Sequence, residues 1–195
     1  AAGEQQAMIV GHDWGAMVAW WTALYYPERV SKLGILNVPH PKVINDTIRS
    51  SFKQLRKSWY VGFFQLPGVP ERIFKQNNSN NVLNGLQSNA LDGSFTDADL
   101  ERYRTAWNRP NALTGMINWY RAYVRQQPED PVSWRVTVPT MMIWGEGDSF
   151  LSATMAQPSI DLCDNGQLHM IPWATHWIQH DAKDDVNQLL GDFLT

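Results

Sequence analysis

The fold of this chain is decided at residues 7–15, which read AMIVGHDWG. The apolar run at 7–10 predicts a buried strand, and the residues after 15 predict a helix that ends before Pro27. A sharp strand-to-helix turn needs small residues two before and two after its central residue, because the backbone comes close on both sides. Gly11 and Gly15 meet that need and leave Asp13 at the tip. The alternative is an ordinary tight turn in which Asp13 only caps the helix.

The remaining pattern predicts an α/β protein. A second strand at 33–38 completes a parallel strand-helix-strand unit, and strands return at 138–144 and 167–171. Between them the pattern is helical, and a final amphipathic helix covers about 181–194. We therefore predict an incomplete parallel sheet of about four strands. Its core segments are residues 1–41 and 136–195, and residues 42–135 form a helical cap.

Composition narrows the classes of function. The 195 residues carry a formal charge of −3 and a pI near 5.9, so no global basic field points to nucleic acid. No apolar run approaches the roughly 20 residues of a membrane span. Cys163 is the only cysteine, which excludes intramolecular disulfides and cysteine metal clusters and favours a reducing compartment such as the cytoplasm. The histidine spacing indicates no metal site.

An aspartate at such a turn points to a definite chemistry. Its carboxylate can attack tetrahedral carbon and form an alkyl ester, whereas acyl transfer normally uses Ser or Cys. Hydrolysis of that ester needs a base that activates water and a carboxylate that orients the base. Asp148 follows the third predicted strand and His176 follows the fourth. Either alone could be a turn Asp or a loop His, but their order after Asp13 favours a nucleophile-acid-base triad.

Several motifs together resemble one family. The sequences GHDWG at 11–15, YPERV at 26–30 and NWYR at 118–121, with the surroundings of Asp148 and His176, resemble the epoxide hydrolases of the α/β-hydrolase fold. The resemblance runs over essentially the whole chain. The first motif fits haloalkane dehalogenases equally well, so the helical cap has to decide between the two activities.

The resemblance implies two tyrosines that hold the epoxide oxygen. The segment SWYVGFFQLPG at 58–68 places the first at Tyr60, and NWYR places the second at Tyr120. A phenol is protonated at neutral pH and can donate to the alkoxide that forms when an epoxide opens. Tyr60 lies in an aromatic run that could simply be core, and Tyr123 competes with Tyr120. The family needs no cofactor.

The same resemblance assigns residues around the pocket. The backbone N–H of Trp14 would contribute to the oxyanion hole and its indole would wall the pocket, which His12 and Trp177 would border. His12 is expected to be a structural neighbour of the turn rather than a base. Some dehalogenases carry their acid after the strand that ends near Asn37. An amide cannot serve as that anion, so the role falls to Asp148.

The resemblance also predicts that the chain is the C-terminal portion of a longer enzyme. The family has further strands and a His-Gly-x-Pro loop before the nucleophile, so the apolar strand at 7–10 would be a bare edge and a hazard for aggregation. The expected function is cofactor-independent conversion of a small apolar epoxide to a vicinal diol, with doubtful activity in this chain. The alternatives are a haloalkane dehalogenase with the same triad, or an inactive fragment that persists as an interaction module.

Overall fold

A computed structural model describes residues 3–195, apart from the side chain of Lys53. Ala1 and Ala2, which the predicted core segment 1–41 includes, lie outside the described residues. The chain divides into two compact units. The first consists of the described residues through Leu55 together with Asp130–Thr195, and the second is Arg56–Glu129.

The first unit is built on a sheet of four parallel strands that lie in chain order. The strands are β1 (Ala7–His12), β2 (Val30–Leu36), β3 (Thr140–Gly145) and β4 (Gly166–Ile171). This confirms the predicted α/β-hydrolase fold with about four strands. β3 is buried along its whole length, as expected for a parallel strand covered on both faces. β1 lies at one edge of the described sheet, where Met8 and Val10 are 51% and 41% exposed.

Helices cover both faces of this sheet. One face packs against the first helix and buries a cluster that includes Trp20, Ile35 and Trp144. The other face packs against the C-terminal helices and buries Ile143 and Val186. The helices of the first unit are α1 (Trp14–Tyr25), α2 (Pro41–Ser50), α3 (Phe52–Lys57, which continues into the second unit), α9 (Ala156–Ile160), α10 (Ile178–Asp181) and α11 (Lys183–Leu194).

The second unit is helical, as the sequence pattern predicts for this region. Its α7 begins with a capping box. The Thr96 hydroxyl accepts from the backbone N–H of Asp99, and the Asp99 carboxylate accepts from the backbone N–H of Thr96. Its helices are α4 (Trp59–Phe63), α5 (Val69–Lys75), α6 (Asn80–Gln87), α7 (Asp97–Trp107) and α8 (Ala112–Arg125). Among the helices of residues 3–195, none combines the length and the apolar character that a membrane crossing requires.

The second compact unit does not have the same bounds as the predicted cap at residues 42–135. The assignment of residues 42–135 as a cap domain stays a prediction. The second unit begins at Arg56 rather than at residue 42. Gln54, which is 1% exposed, shows why the preceding residues belong to the first unit. Its side-chain amide donates to the carbonyl of Phe150 and accepts from the N–H of Ser152, at 2.8 and 3.1 Å.

Candidate active site

Asp13 stands on a strained turn between β1 and α1. Its backbone has φ 51° and ψ −130°, a sparsely populated region that costs a residue other than glycine about 1–3 kcal/mol. The Asp13 side chain is 47% exposed and makes no helix-capping hydrogen bond, so the capping alternative has no support from its contacts. The strain presents the carboxylate at the carboxyl end of the sheet, where parallel sheets bind their ligands.

The two glycines that flank Asp13 differ in what they contribute. A Cβ at Gly11 would lie 2.5 Å from the carbonyl oxygen of Gly15 and 2.6 Å from the Cα of Ala16, so this position requires glycine. A Cβ at Gly15 would meet nothing within 4 Å among the described residues. Glycine is therefore required at position 11, where the backbone of Gly15 and Ala16 comes close, whereas no such contact requires it at position 15.

The fold brings Asp13, Asp148 and His176 together. The Nδ1 of His176 lies 2.8 Å from Oδ2 of Asp148, and its Nε2 lies 3.7 Å from Oδ1 of Asp13. A carboxylate can only accept, so Nδ1 carries the proton of the first contact. The second distance is longer than a direct hydrogen bond. The imidazole is therefore oriented by one carboxylate and aimed at the other.

Asp148 is buried and yet well satisfied. Its Oδ1 accepts from the backbone N–H groups of Phe150 and Leu151 at 2.7 and 2.8 Å. Its Oδ2 accepts from His176 and from the side-chain amide of Asn37, the latter at 2.9 Å. Burial works to raise the pKa of Asp148, but hydrogen bonds from His176, Asn37 and Leu151 outweigh it and hold the pKa below its usual value. The acid is thus ionised at neutral pH.

Burial and electrostatic attraction also act in opposite directions on the pKa values of His176 and Asp13. Burial works to lower the pKa of His176, but the interactions with Asp13 and Asp148 outweigh it and raise the pKa to about 10. Burial works to raise the pKa of Asp13, and its interactions with His176 reverse the sign and lower it. In the unreacted protein, an imidazolium therefore lies between two carboxylates at neutral pH.

The predicted pocket residues His12 and Trp177 lie beside His176. The His12 ring centroid is 4.7 Å from that of His176 and 5.6 Å from that of Trp177. Burial and the neighbouring His176 lower the pKa of His12 to about 4, so it is neutral. Its Nε2 donates to the carbonyl of His176, 2.8 Å away, while Gln179 lies 3.3 Å from its Nδ1. These contacts agree with the expected structural role of His12.

Trp14, the third predicted pocket residue, is the first residue of α1. Its half-buried side chain packs against the core cluster beneath the turn. Trp14 follows Asp13 directly, and its backbone N–H contributes to the lowering of the Asp13 pKa. Its contribution to an oxyanion hole stays a prediction.

The sequence did not predict the hydrogen bonds between Asp181 and the residue before His176. The backbone N–H and the hydroxyl of Thr175 both donate to Oδ2 of Asp181, at 2.7 and 2.5 Å. The sequence indicated Asp181 only as the start of the last helix. Its contact with Thr175, six positions earlier, follows no helical or strand periodicity. These two hydrogen bonds fix Thr175, the residue that precedes His176.

Gly145 is required where the His176 loop crosses the end of β3. A Cβ there would lie 2.4 Å from the carbonyl oxygen of Thr175 and 2.5 Å from that of Ala174, and backbone atoms cannot rotate away. We expect Gly145→Ala to lower the free energy of unfolding by about 1–3 kcal/mol, the usual cost of overpacking. Urea denaturation of both proteins measures this.

Gly191→Ala is the matched control, because a Cβ at Gly191 in α11 meets nothing within 4 Å among the described residues. It should leave stability unchanged or raise it by up to about 1 kcal/mol through helix propensity. Equal stability of Gly145→Ala and the parent protein would contradict the required close approach.

In the second unit, the two predicted tyrosines contact each other. The rings of Tyr60 and Tyr120 meet edge to face with centroids 5.6 Å apart, and Phe64 packs against both. Both tyrosines are half-buried, which differs from fully buried core aromatics. The pair therefore forms one aromatic corner between α4 and α8.

Arg121 joins α8 to the segment that follows α4 through hydrogen bonds. Its guanidinium donates to the carbonyls of Phe64 and Leu66, each at 2.9 Å, and forms a bidentate pair with Glu71. The hydrogen bonds from Arg121 lower the pKa of Glu71. This side chain ties α8, immediately after Tyr120, to the segment that follows Tyr60 and to α5.

Within residues 3–195, no group of three or more His, Cys, Asp or Glu residues is arranged to hold a metal ion. Cys163 is buried, and burial raises the pKa of its thiol to about 11, which makes it a poor nucleophile.

Comparison with known proteins gives the family context. The sequence model of the alpha/beta hydrolase fold matches residues 1–183. The chain is 39% identical over 191 residues to the AB hydrolase superfamily protein YfhM of Bacillus subtilis and 39% identical over 199 residues to human epoxide hydrolase 4. Both alignments cover 98% of this chain, but 66% of the bacterial protein and 54% of the human one.

A solved structure gives the same picture in three dimensions. An epoxide hydrolase of Bacillus megaterium, crystallised in complex with an inhibitor, superposes with a TM-score of 0.86 at 25% identity. The superposition covers 98% of this chain and 70% of that protein. The chain thus spans about half to two thirds of the length of the curated relatives named above.

Proposed function

Because the chain belongs to the alpha/beta hydrolase fold family, we propose that its site converts a small apolar epoxide to a vicinal diol. One observation carries the proposal. Asp13 stands on a strained turn with Nε2 of His176 3.7 Å away, and His176 is held by Asp148. A carboxylate in the nucleophile position suits attack on the carbon of an epoxide. The epoxide hydrolases among the similar proteins favour this substrate class.

In the first step, a carboxylate oxygen of Asp13 attacks an epoxide carbon and the bond from that carbon to the epoxide oxygen breaks. The oxygen leaves as an alkoxide on the neighbouring carbon and takes a proton from a phenol, for which we propose Tyr60 and Tyr120. The phenolate that remains is reprotonated from solvent, which in turn takes up the proton that the imidazolium of His176 releases when the Asp13 charge is lost. The product is a hydroxyalkyl ester of Asp13. This step needs no base, because the lowered pKa of Asp13 keeps it ionised.

In the second step, Nε2 of His176 takes a proton from water, and the resulting hydroxide attacks the ester carbonyl of Asp13. The acyl C–O bond breaks, and the leaving alkoxide takes the proton that the attacking hydroxide carried. The diol then departs and the carboxylate returns with one oxygen from water, while His176 keeps the proton taken from water and is again an imidazolium. Ester formation removes the Asp13 charge, one of the two that raise the pKa of His176. The pKa therefore falls in the ester, and neutral imidazole becomes available only when a base is needed.

The tyrosine assignment leads to a prediction. Tyr60→Phe and Tyr120→Phe should each slow single-turnover ester formation roughly 100-fold, the usual cost of one lost donor to a developing oxyanion. The double variant should lose nearly all of it. Rapid quench followed by intact-protein mass spectrometry measures the step.

The control for this pair is Tyr103→Phe, which removes a phenol that stacks on Trp107 in the same unit. It should leave ester formation unchanged. Unaltered ester formation in both Tyr60→Phe and Tyr120→Phe would show that these tyrosines only pack in the aromatic core and do not donate to the epoxide oxygen. That result would favour a haloalkane substrate.

The test of the proposed function compares two substrates. The protein is incubated with styrene oxide and with a bromoalkane, and diol and bromide are measured. Diol formation alone supports the proposal, whereas bromide release alone supports a haloalkane dehalogenase. Inactivity with both substrates, together with a folded circular dichroism spectrum, would overturn the enzymatic proposal and favour an interaction module.

A further inference from the structure

Asn37 is a buried amide that contacts the acid of the triad. It follows β2 directly and is 0% exposed. Its Nδ2 donates to Oδ2 of Asp148 at 2.9 Å, and its Oδ1 accepts from the backbone N–H of Gly145 at 2.8 Å. The side chain therefore connects the end of β3 to the carboxylate in the loop after it.

The backbone of Asn37 is held as firmly as its side chain. Its φ is +54°, a left-handed conformation that Asn tolerates better than most residues. Its N–H donates to the carbonyl of Ile143 at 3.1 Å, which anchors the residue to the neighbouring strand. With main chain and amide both fixed, Nδ2 has a set direction towards Asp148.

We propose that Asn37 is a positioning residue that holds Oδ2 of Asp148 against Nδ1 of His176 for the hydrolytic step. The proposal rests on the function proposed above. Oδ2 accepts from both Asn37 and His176, while Oδ1 is held by two backbone N–H groups. Removing the amide takes away one of the hydrogen bonds to Oδ2 in a buried site, so the carboxylate can turn away from the imidazole.

The chemistry of the amide suits this role. A neutral donor stabilises the Asp148 anion without adding a positive charge that would compete with His176 for it. Asp148 acts only through His176, and ester formation at Asp13 needs no base. The effect of Asn37 should therefore be confined to ester hydrolysis.

Two variants test the proposal. Asn37→Gly removes the amide and accepts the left-handed backbone without strain. Asn37→Leu keeps nearly the volume of the amide but has no group that can donate to Asp148. With styrene oxide in single turnover, ester formation should stay within about 3-fold of the parent. Ester hydrolysis should fall about 10–100-fold, as expected when a hydrogen bond to a charged group is lost.

Asn77→Gly is the matched control, because Asn77 is also left-handed, with φ 52°, and lies in the second unit. It should change neither step. If Asn37→Gly does not fold, Asn37→Leu carries the same comparison. Equal losses in ester formation and hydrolysis, or unchanged hydrolysis in the folded variants, would overturn the proposal.

A measurement without substrate separates this proposal from the proposed function. The low-field proton NMR resonance of His176 Nδ1–H reports its hydrogen bond to Asp148. It should move in Asn37→Gly and keep its position in Asn77→Gly. An unmoved resonance in Asn37→Gly overturns the positioning role, whereas absence of ester and diol in the parent protein overturns the proposed function alone.

Discussion

Asp13→Asn is expected to reduce diol formation by roughly 10⁴-fold or more, the scale of loss when a residue of a catalytic triad is removed. The amide is nearly the same size as the carboxylate, but it is a poor nucleophile and cannot form the alkyl ester. The substitution also removes the Asp13 charge that helps to raise the pKa of His176. Steady-state diol production from styrene oxide is the measurement.

Two controls make this result interpretable. Asp46→Asn removes an exposed carboxylate that pairs with Lys42 on α2, and it should leave turnover unchanged. Mass spectrometry must show that the introduced amide has not deamidated back to Asp, because a small fraction of restored nucleophile would mimic residual activity. Comparable diol production by an intact Asp13→Asn protein would remove Asp13 from the nucleophile role.

His176→Gln is expected to stop the reaction after its first step. Attack by Asp13 on carbon needs no base, so the variant should accumulate as a covalent adduct one substrate mass heavier than the protein. Hydrolysis of the ester should fall by about 10⁴–10⁶-fold. Intact-protein mass spectrometry after incubation with styrene oxide detects the adduct, and its decay gives the hydrolysis rate.

The variant leaves Asp13 and Asp148 without the imidazolium between them, so its fold must be checked by circular dichroism. His169→Gln is the control, since it replaces a histidine on β4 outside the triad and should turn over normally. A folded His176→Gln protein that binds substrate and forms no adduct would argue against a covalent intermediate.

Local sequence was sufficient to predict the framework of the site. The apolar runs before Asp13, Asp148 and His176 predicted strands, and the structure has β1, β3 and β4 there. The carboxyl ends of parallel strands meet at one edge of a sheet, so residues that follow different strands come together without any further signal. The Thr96 cap of α7 is equally local, because a capping box is complete within four residues.

Contacts between distant segments could not be predicted in this way. Asn37 was interpreted only as a residue that cannot be the acid, and its hydrogen bond to Asp148 spans 111 positions. The bounds of the compact units likewise depend on Gln54, whose partners lie almost a hundred residues away. Such pairings are set by packing of the strands and leave no periodic pattern in the sequence.

The sequence by itself determined which side chains stand at the ends of the parallel strands, while the tertiary structure decided their charge states. His12 ends β1 and His176 lies in the loop after β4, and although they are the same residue type their pKa values lie near 4 and near 10. Desolvation favours the neutral ring in both, but only His176 lies between two carboxylates close enough to outweigh it. Desolvation and Coulomb interactions depend on distances in the folded chain, so folding alone separates the base from its neutral neighbour.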